Sequence, residues 1–279
     1  MSDAFDSVSV PDFSYTRELF DRPCAFPEDD RQSLQEVASK CPLSLLNEQP
    51  ELSEELRYNF VTTLQELNLS LADSAYDEIN DDFLETEGSF SDFVSLRNYG
   101  VLFDAIMDEN TTLSPTAKGL KEMHALLING LVSPEKLLDT RHDSSPVEFV
   151  DFLYAPPAPD EIENLLETVF KRAAHVADPY NRALTLFKGV LTVSPFTDNN
   201  LESALGLFLL SLKTDGLLPL FPNHFASDEP DGTTAELFDA LFEEDFGSDS
   251  EGGGFSAYFL DCADGLLEML TADDGDDAD

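Results

Sequence analysis

The chain has 279 residues, of which 57 are Asp or Glu and 15 Lys or Arg, for a formal charge of −42. Hydrophobic residues make up 42% and 22 residues are Phe, too much apolar material for a disordered acidic chain. The missing basic footprint excludes nucleic acid and disfavours anionic membrane surfaces as partners.

Residues 1–30 carry Pro11, Pro23 and Pro27 with little periodicity, and are expected to form a poorly ordered N-terminal arm. A helical region is expected over 31–89. There Leu56, Phe60, Leu64, Leu67 and Leu71 form one stripe of a helix over 52–71, with Ser53 as N-cap and Glu55 in the first turn. A shorter helix is expected over 74–84. The stripe Phe93, Leu96, Leu102 and Ile106 predicts a helix over 90–107, weakened by Gly100. Ser114-Pro115 is expected to cap the next helix, with Leu120, Met123, Leu127 and Leu131 inward. The alternation in Pro146-Val-Glu-Phe-Val-Asp-Phe152 predicts a short strand or flap, closed by the proline turn Tyr154–Pro159. Helices are expected over 160–177, 180–193, 201–212, 233–246 and 255–270. The glycines 252–254 would join the last two, and 271–279 would form a frayed acidic tail.

Acids lie in almost every segment, so the charge is a property of the whole surface. Molar salt screens such a surface, and the composition is expected of a protein from a salt-rich cytoplasm, as in halophilic archaea or bacteria. Cys24, Cys41 and Cys262 show no metal or disulfide spacing, and His124, His142, His175 and His224 are scattered. The N-terminal residues lack a signal-peptide pattern, and no apolar run approaches the ~18 residues of a membrane span, so a cytoplasmic protein is expected.

The segment Thr192-Val-Ser-Pro-Phe-Thr-Asp-Asn-Asn-Leu-Glu202 resembles the signature loop of the Fic (Fido) family, H-P-F-x-D/E-G-N-G/K-R. Pro195, Phe196, Asp198 and Asn200 match. Ser194 stands at the histidine, Asn199 and Leu201 at the two glycines, and Glu202 at the arginine. The surroundings are similar in order and spacing over residues 90–270: Leu120–Leu127 to the helix before the flap, Arg141 with Val147 and Phe149 to the flap, and Tyr154–Ile162 to the turn after it. Gly206–Pro219 is similar to the helix after the signature, and Phe255–Asp261 to the aromatic terminal helix. The resemblance implies a mostly α, Fic-type helical bundle with a short β-hairpin flap. It also implies a family activity, transfer of AMP from ATP to a protein hydroxyl.

The substitutions bear on that activity. A serine hydroxyl does not titrate near neutral pH, so Ser194 cannot directly replace a histidine base; His175 or His142 would have to reach the site in three dimensions. Asn199 tolerates positive φ, whereas Leu201 is bulky where phosphate would approach and strained if φ were positive. Glu202 reverses a charge worth about 4 kcal/mol against phosphate at about 4 Å in an effective dielectric of 20. The resemblance makes Asp198 a Mg²⁺ ligand; the residues alone make Thr197–Asn200 a turn with Asp198 as helix N-cap, and this reading weighs more. Ser74 and Glu78 resemble the family's inhibitory S/T-x-x-x-E-G/N motif, with Ile79 at its last position, but the arginine that such a glutamate would meet is replaced by Glu202.

Three readings follow. The favoured one is a degenerate Fic domain that has lost transfer activity and binds or regulates another protein, with no cofactor. It could add a target strand to the flap at 146–152, or cap an active relative. The second is a nucleotidyl- or phosphotransferase with altered residues, using ATP and Mg²⁺. The third is an unrelated helical protein that carries the pattern by chance.

Overall fold

In the computed structural model, the described residues are 13–22, 25–26, 28–40, 42–48, 50–68, 89–149 and 152–218. The expected helices over 74–84, 233–246 and 255–270, the glycine connector and the acidic tail lie outside them, as do Ser74 and Glu78.

The described chain is mostly helical. Its order is β1 (Phe13–Ser14), α1 (Arg17–Asp21), α2 (Glu28–Lys40), α3 (Leu45–Glu48), α4 (Pro50–Asn68), α5 (Phe90–Met107) and α6 (Ala117–Leu127). The hairpin strands β2 (Val147–Phe149) and β3 (Phe152–Ala155) follow, then α7 (Ile162–Ala174), α8 (Pro179–Val193) and α9 (Asn200–Thr214). Helix α9 is the axis of the bundle. Every residue from Asn200 to Leu212 is buried, because α5, α6 and α8 all pack on it. A helix apolar on all sides is stable only in such a setting. The stripe Leu205, Phe208, Leu209 and Leu212 lies wholly in this core.

Caps set where the helices start. Ser89 and Asp92 form a capping box at α5, the Ser89 hydroxyl accepting from the Asp92 N–H and the Asp92 carboxylate from the Ser89 N–H. Asp178 caps α8 by accepting from the Asn181 N–H at 2.8 Å. Two expected caps differ. Helix α4 opens at Pro50, a residue suited to the first helical position, which puts Ser53 inside the helix. Helix α6 is capped by Thr116, whose hydroxyl accepts from the Gly119 N–H at 3.1 Å; Ser114-Pro115 lies ahead of it.

The flap is a β2–β3 hairpin, Val147 opposite Tyr154 and Phe149 opposite Phe152. The expected disordered arm is corrected over 13–22. There β1 pairs in parallel with β3, completing a sheet ordered β1-β3-β2. The Tyr15 N–H extends the pairing by donating to the Ala155 carbonyl at 2.7 Å. The Thr16 hydroxyl caps α1, which buries Leu19 and Phe20. These two apolar side chains explain why the segment docks. Among the described residues no helix is long and apolar enough to cross a membrane.

Candidate functional site

The loop between α8 and α9 carries the sequence-predicted residues, and its backbone is shaped by two left-handed positions. Ser194, with φ 40°, ends α8, and Asn199, with φ 52°, precedes α9. Asparagine tolerates this region better than most residues. Leu201 is helical and buried, so the strain expected of it does not arise.

Ser194 is fully buried, and its hydroxyl donates to the Leu191 carbonyl at 2.6 Å. That bond closes the last turn of α8. The Asn200 amide is also turned inward: Oδ1 accepts from the Phe196 N–H at 2.9 Å and Nδ2 donates to the Phe196 carbonyl at 3.0 Å. Asn200 therefore clasps its own loop.

Arg141, read from the sequence as a flap residue, is a buried tie between flap and loop. Its Nε donates to the Ser194 carbonyl at 2.8 Å, Nη1 to the Asp143 carbonyl at 2.8 Å, and Nη2 to the Pro157 carbonyl. Its own N–H donates to the Pro195 carbonyl at 2.9 Å. Tyr154 adds a second tie, its hydroxyl donating to the Thr192 carbonyl at 2.7 Å. Val147 is buried beside it in the hairpin, and Phe149 holds the turn end of the register.

The expected N-cap role of Asp198 is corrected. Asn199 occupies the cap position, without a side-chain cap bond. The Asp198 carboxylate is exposed, with Oδ1 3.6 Å from His124 Nε2. The His124 ring holds this carboxyl below the usual carboxylate range. His124 itself is buried on α6 and stacks on Phe196, centroids 3.6 Å apart and planes 3° from parallel. Neither ring nitrogen of His124 makes a hydrogen bond to a described residue.

Glu202 lies in the first turn of α9, 3% exposed. Burial pushes its carboxyl up to about 7, and the Asp198 charge adds to this. Tyr99 of α5 completes the group. Its phenol is raised far above the ordinary range by burial first, then by the charges of Glu202, Asp92 and Asp198.

His175 and His142 do not join this loop. His175 caps α7, with Nδ1 2.6 Å from the Lys171 carbonyl, and His142 is exposed with Nε2 3.9 Å from Asp139. His124 was missed as a site residue, although a signal existed. It follows Leu120 by four positions and precedes Leu127 by three, which sets a titratable ring on the buried face of α6.

No protein-family model and no curated protein matches the chain. Solved structures do match. A Fic family protein from Desulfovibrio desulfuricans G20 superposes with a TM-score of 0.69 at 17% identity, over 90% of this chain and 77% of that one. This is the Fic fold. Fic-1 of C. elegans, residues 134–508, matches with a TM-score of 0.62 at 17% identity, over 88% and 72% of the two chains. A Fic domain-containing signaling protein from Bacteroides thetaiotaomicron VPI-5482 matches with a TM-score of 0.57 at 13% identity, over 87% and 91%.

Proposed function

We propose that this protein is a Fic-fold domain that has lost nucleotidyl transfer and serves as a protein-binding or regulatory module in a salt-rich cytoplasm. The observation that carries this reading is the turning inward of the loop's polar groups. The Ser194 hydroxyl is committed to the Leu191 carbonyl and the Asn200 amide to Phe196. Neither is presented to a phosphate, and Ser194 cannot act as a base near neutral pH.

The residues fit a nucleotide with Mg²⁺ poorly. A polyphosphate set against the α9 N-terminus would meet the helix's positive end, which favours it. It would also meet Asp198 and Glu202, where the resemblance calls for an arginine. Asp198 is the one exposed carboxylate of the loop, and it already faces His124. Among the described residues, a metal held there would rest on a single carboxylate, and no chemical step is assigned to it.

The flap supplies the binding surface. Among the described residues, strand β3 lies between β1 and β2, so β2 forms an edge of the sheet. An extended segment of another protein could add to that edge by backbone pairing, with no nucleotide needed.

Titration of ATP with Mg²⁺ into the full chain in molar KCl, followed by calorimetry, tests the loss of transfer activity. The expected result is no binding at millimolar nucleotide. Micromolar binding that disappears in Asp198→Ala would overturn it and favour a transferase with altered residues.

A further inference from the structure

We propose that a cavity between α1, α7 and α8 is a binding site for a small organic anion with an apolar body. It holds about 280 Å³, a volume suited to a compact ligand. Thr192, the first residue of the signature segment, lines it and none of residues 194–202 does, so it lies beside the loop and does not depend on the polar groups of Ser194, Asp198 or Glu202.

The charge of the lining sets it apart from the rest of the molecule. Three of the ten described lining residues are cationic, Arg22, Arg172 and Lys188, against one acid, Asp21. The whole chain has only 15 Lys and Arg in 279 residues, and a formal charge of −42. Cations gathered in one concavity of so acidic a chain create a local positive field that the general surface opposes.

Two of these cations, Lys188 and Arg172, are held in place. Lys188 is 6% exposed, and its Nζ donates to the Arg22 carbonyl at 3.2 Å. A lysine is seldom buried to this extent, and this one adjoins the cavity. Arg172 lies over the Phe20 ring, its Cζ 4.6 Å from the centroid; Nη1 donates to the Phe20 carbonyl at 2.8 Å and Nη2 pairs with the Asp21 carboxylate. The guanidinium is therefore oriented before any ligand arrives. Phe20, Val169 and Val176 supply apolar wall. Gly189 on α8 lets that wall close up: a Cβ there would meet Val169 Cγ1 at 2.5 Å.

The mixed lining selects the ligand class. A bare ion uses only the cations and competes directly with chloride. A carboxylate or phosphate ester carrying a small apolar group also buries surface against Phe20 and the valines, which gives it an advantage in concentrated salt.

Phenyl phosphate, inorganic phosphate and benzyl alcohol, each titrated into the full chain in molar KCl and read by calorimetry and by thermal midpoint, test this. Phenyl phosphate is expected to bind saturably and raise the midpoint, with the other two at least about tenfold weaker. Lys188→Met and Arg22→Gln are each expected to weaken phenyl phosphate, the former by about tenfold or more. Arg22 is half-buried, so its variant decides the matter if Lys188→Met does not fold. Equal binding of phenyl phosphate and benzyl alcohol would overturn the anion site. Equal binding of inorganic phosphate would overturn the need for an apolar body. Native-like affinity in the folded variants, or no binding by phenyl phosphate, would overturn the assignment to this cavity.

Discussion

Glu202 gives the loop a pH dependence that its neighbours do not share. Its carboxyl is raised by burial to about 7 in the folded protein, from an ordinary value of 4.5. The native state therefore binds the proton more tightly than the unfolded chain does. The resulting stability is fully present below the unfolded value and is lost as pH rises through about 7, by up to about 3 kcal/mol. Glu202→Gln removes this dependence. Urea unfolding of the two proteins is expected to give similar stability near pH 4 and a more stable variant near pH 8; parallel profiles would show that the carboxyl is not the source. Arg141 tests the tie between loop and flap. Its guanidinium reaches the Ser194, Asp143 and Pro157 carbonyls together, so Arg141→Ala strands two buried acceptors and a partly buried one, and should cost about 2–4 kcal/mol. Arg141→Lys should recover less than half of this, because one ammonium cannot span a planar fork of three acceptors. Full recovery, measured by urea midpoint, would make Arg141 a charge site rather than a geometric one. Of this group, Ser194, Asp198 and Glu202 were legible from the sequence by their place in the signature. Their bonding was not, because a hydroxyl that closes a helix turn and one that faces a ligand have the same local sequence. His124 and Tyr99 join the loop only through the packing of α5 and α6 on α9, which no local pattern encodes.

The elements with the clearest apolar stripes came through best. Helix α5 spans the expected Phe90–Met107, since a stripe of large residues and a capping box at Ser89 agree there. Helices α7, α8 and α9 lie within a few residues of expectation. The misplaced caps at α4 and α6 arose because several Ser, Thr and Pro residues compete over a short span, and the chain uses the one whose side chain reaches a free N–H. Strand β1 was invisible for a different reason. It is two residues long and pairs with a strand some 140 positions later, so neither alternation nor a hairpin turn marks it. The packing of α7 on α8 rests on a local feature that can be tested. Gly189 faces Val169, and an added Cβ would lie 2.5 Å from Cγ1 and 2.7 Å from Cγ2. Alanine is the better helix former by about 1 kcal/mol, so propensity alone predicts that Gly189→Ala stabilises. Overpacking costs about 1–3 kcal/mol in a well-packed core, and here it meets branched methyls on a neighbouring helix. The variant is therefore expected to lose net stability. A higher thermal midpoint than the parent would show that α7 and α8 can separate freely.

At the scale of the whole molecule the excess of acid dominates. The described cations are largely drawn into ion pairs: Arg57 with Asp104, Lys121 with Glu163, Arg182 with Asp215, and both Arg17 and Arg172 with Asp21. Exposed pairs of this kind contribute about 0–1 kcal/mol each. They cannot offset a surface with 57 acids and 15 bases. The remaining carboxylates repel one another over a screening length of about 10 Å at 0.1 M salt, which shrinks to about 3 Å at 1 M. If each of the 42 excess charges is relieved by only about 0.1 kcal/mol, the folded state gains about 4 kcal/mol, enough to raise the thermal midpoint by roughly 10 °C. That rise is expected between 0.1 M and 1 M KCl, by about the tenfold concentration step that produces the change in screening. Sucrose separates screening from strengthened burial, since it favours compact states without carrying charge. It should reproduce only a small part of the effect. A midpoint indifferent to KCl would mean that the unfolded chain repels itself as strongly as the folded one, and the acidity would then be no adaptation of the native state to salt. A midpoint that rises equally in sucrose would place the gain in the core built around α9 rather than on the surface.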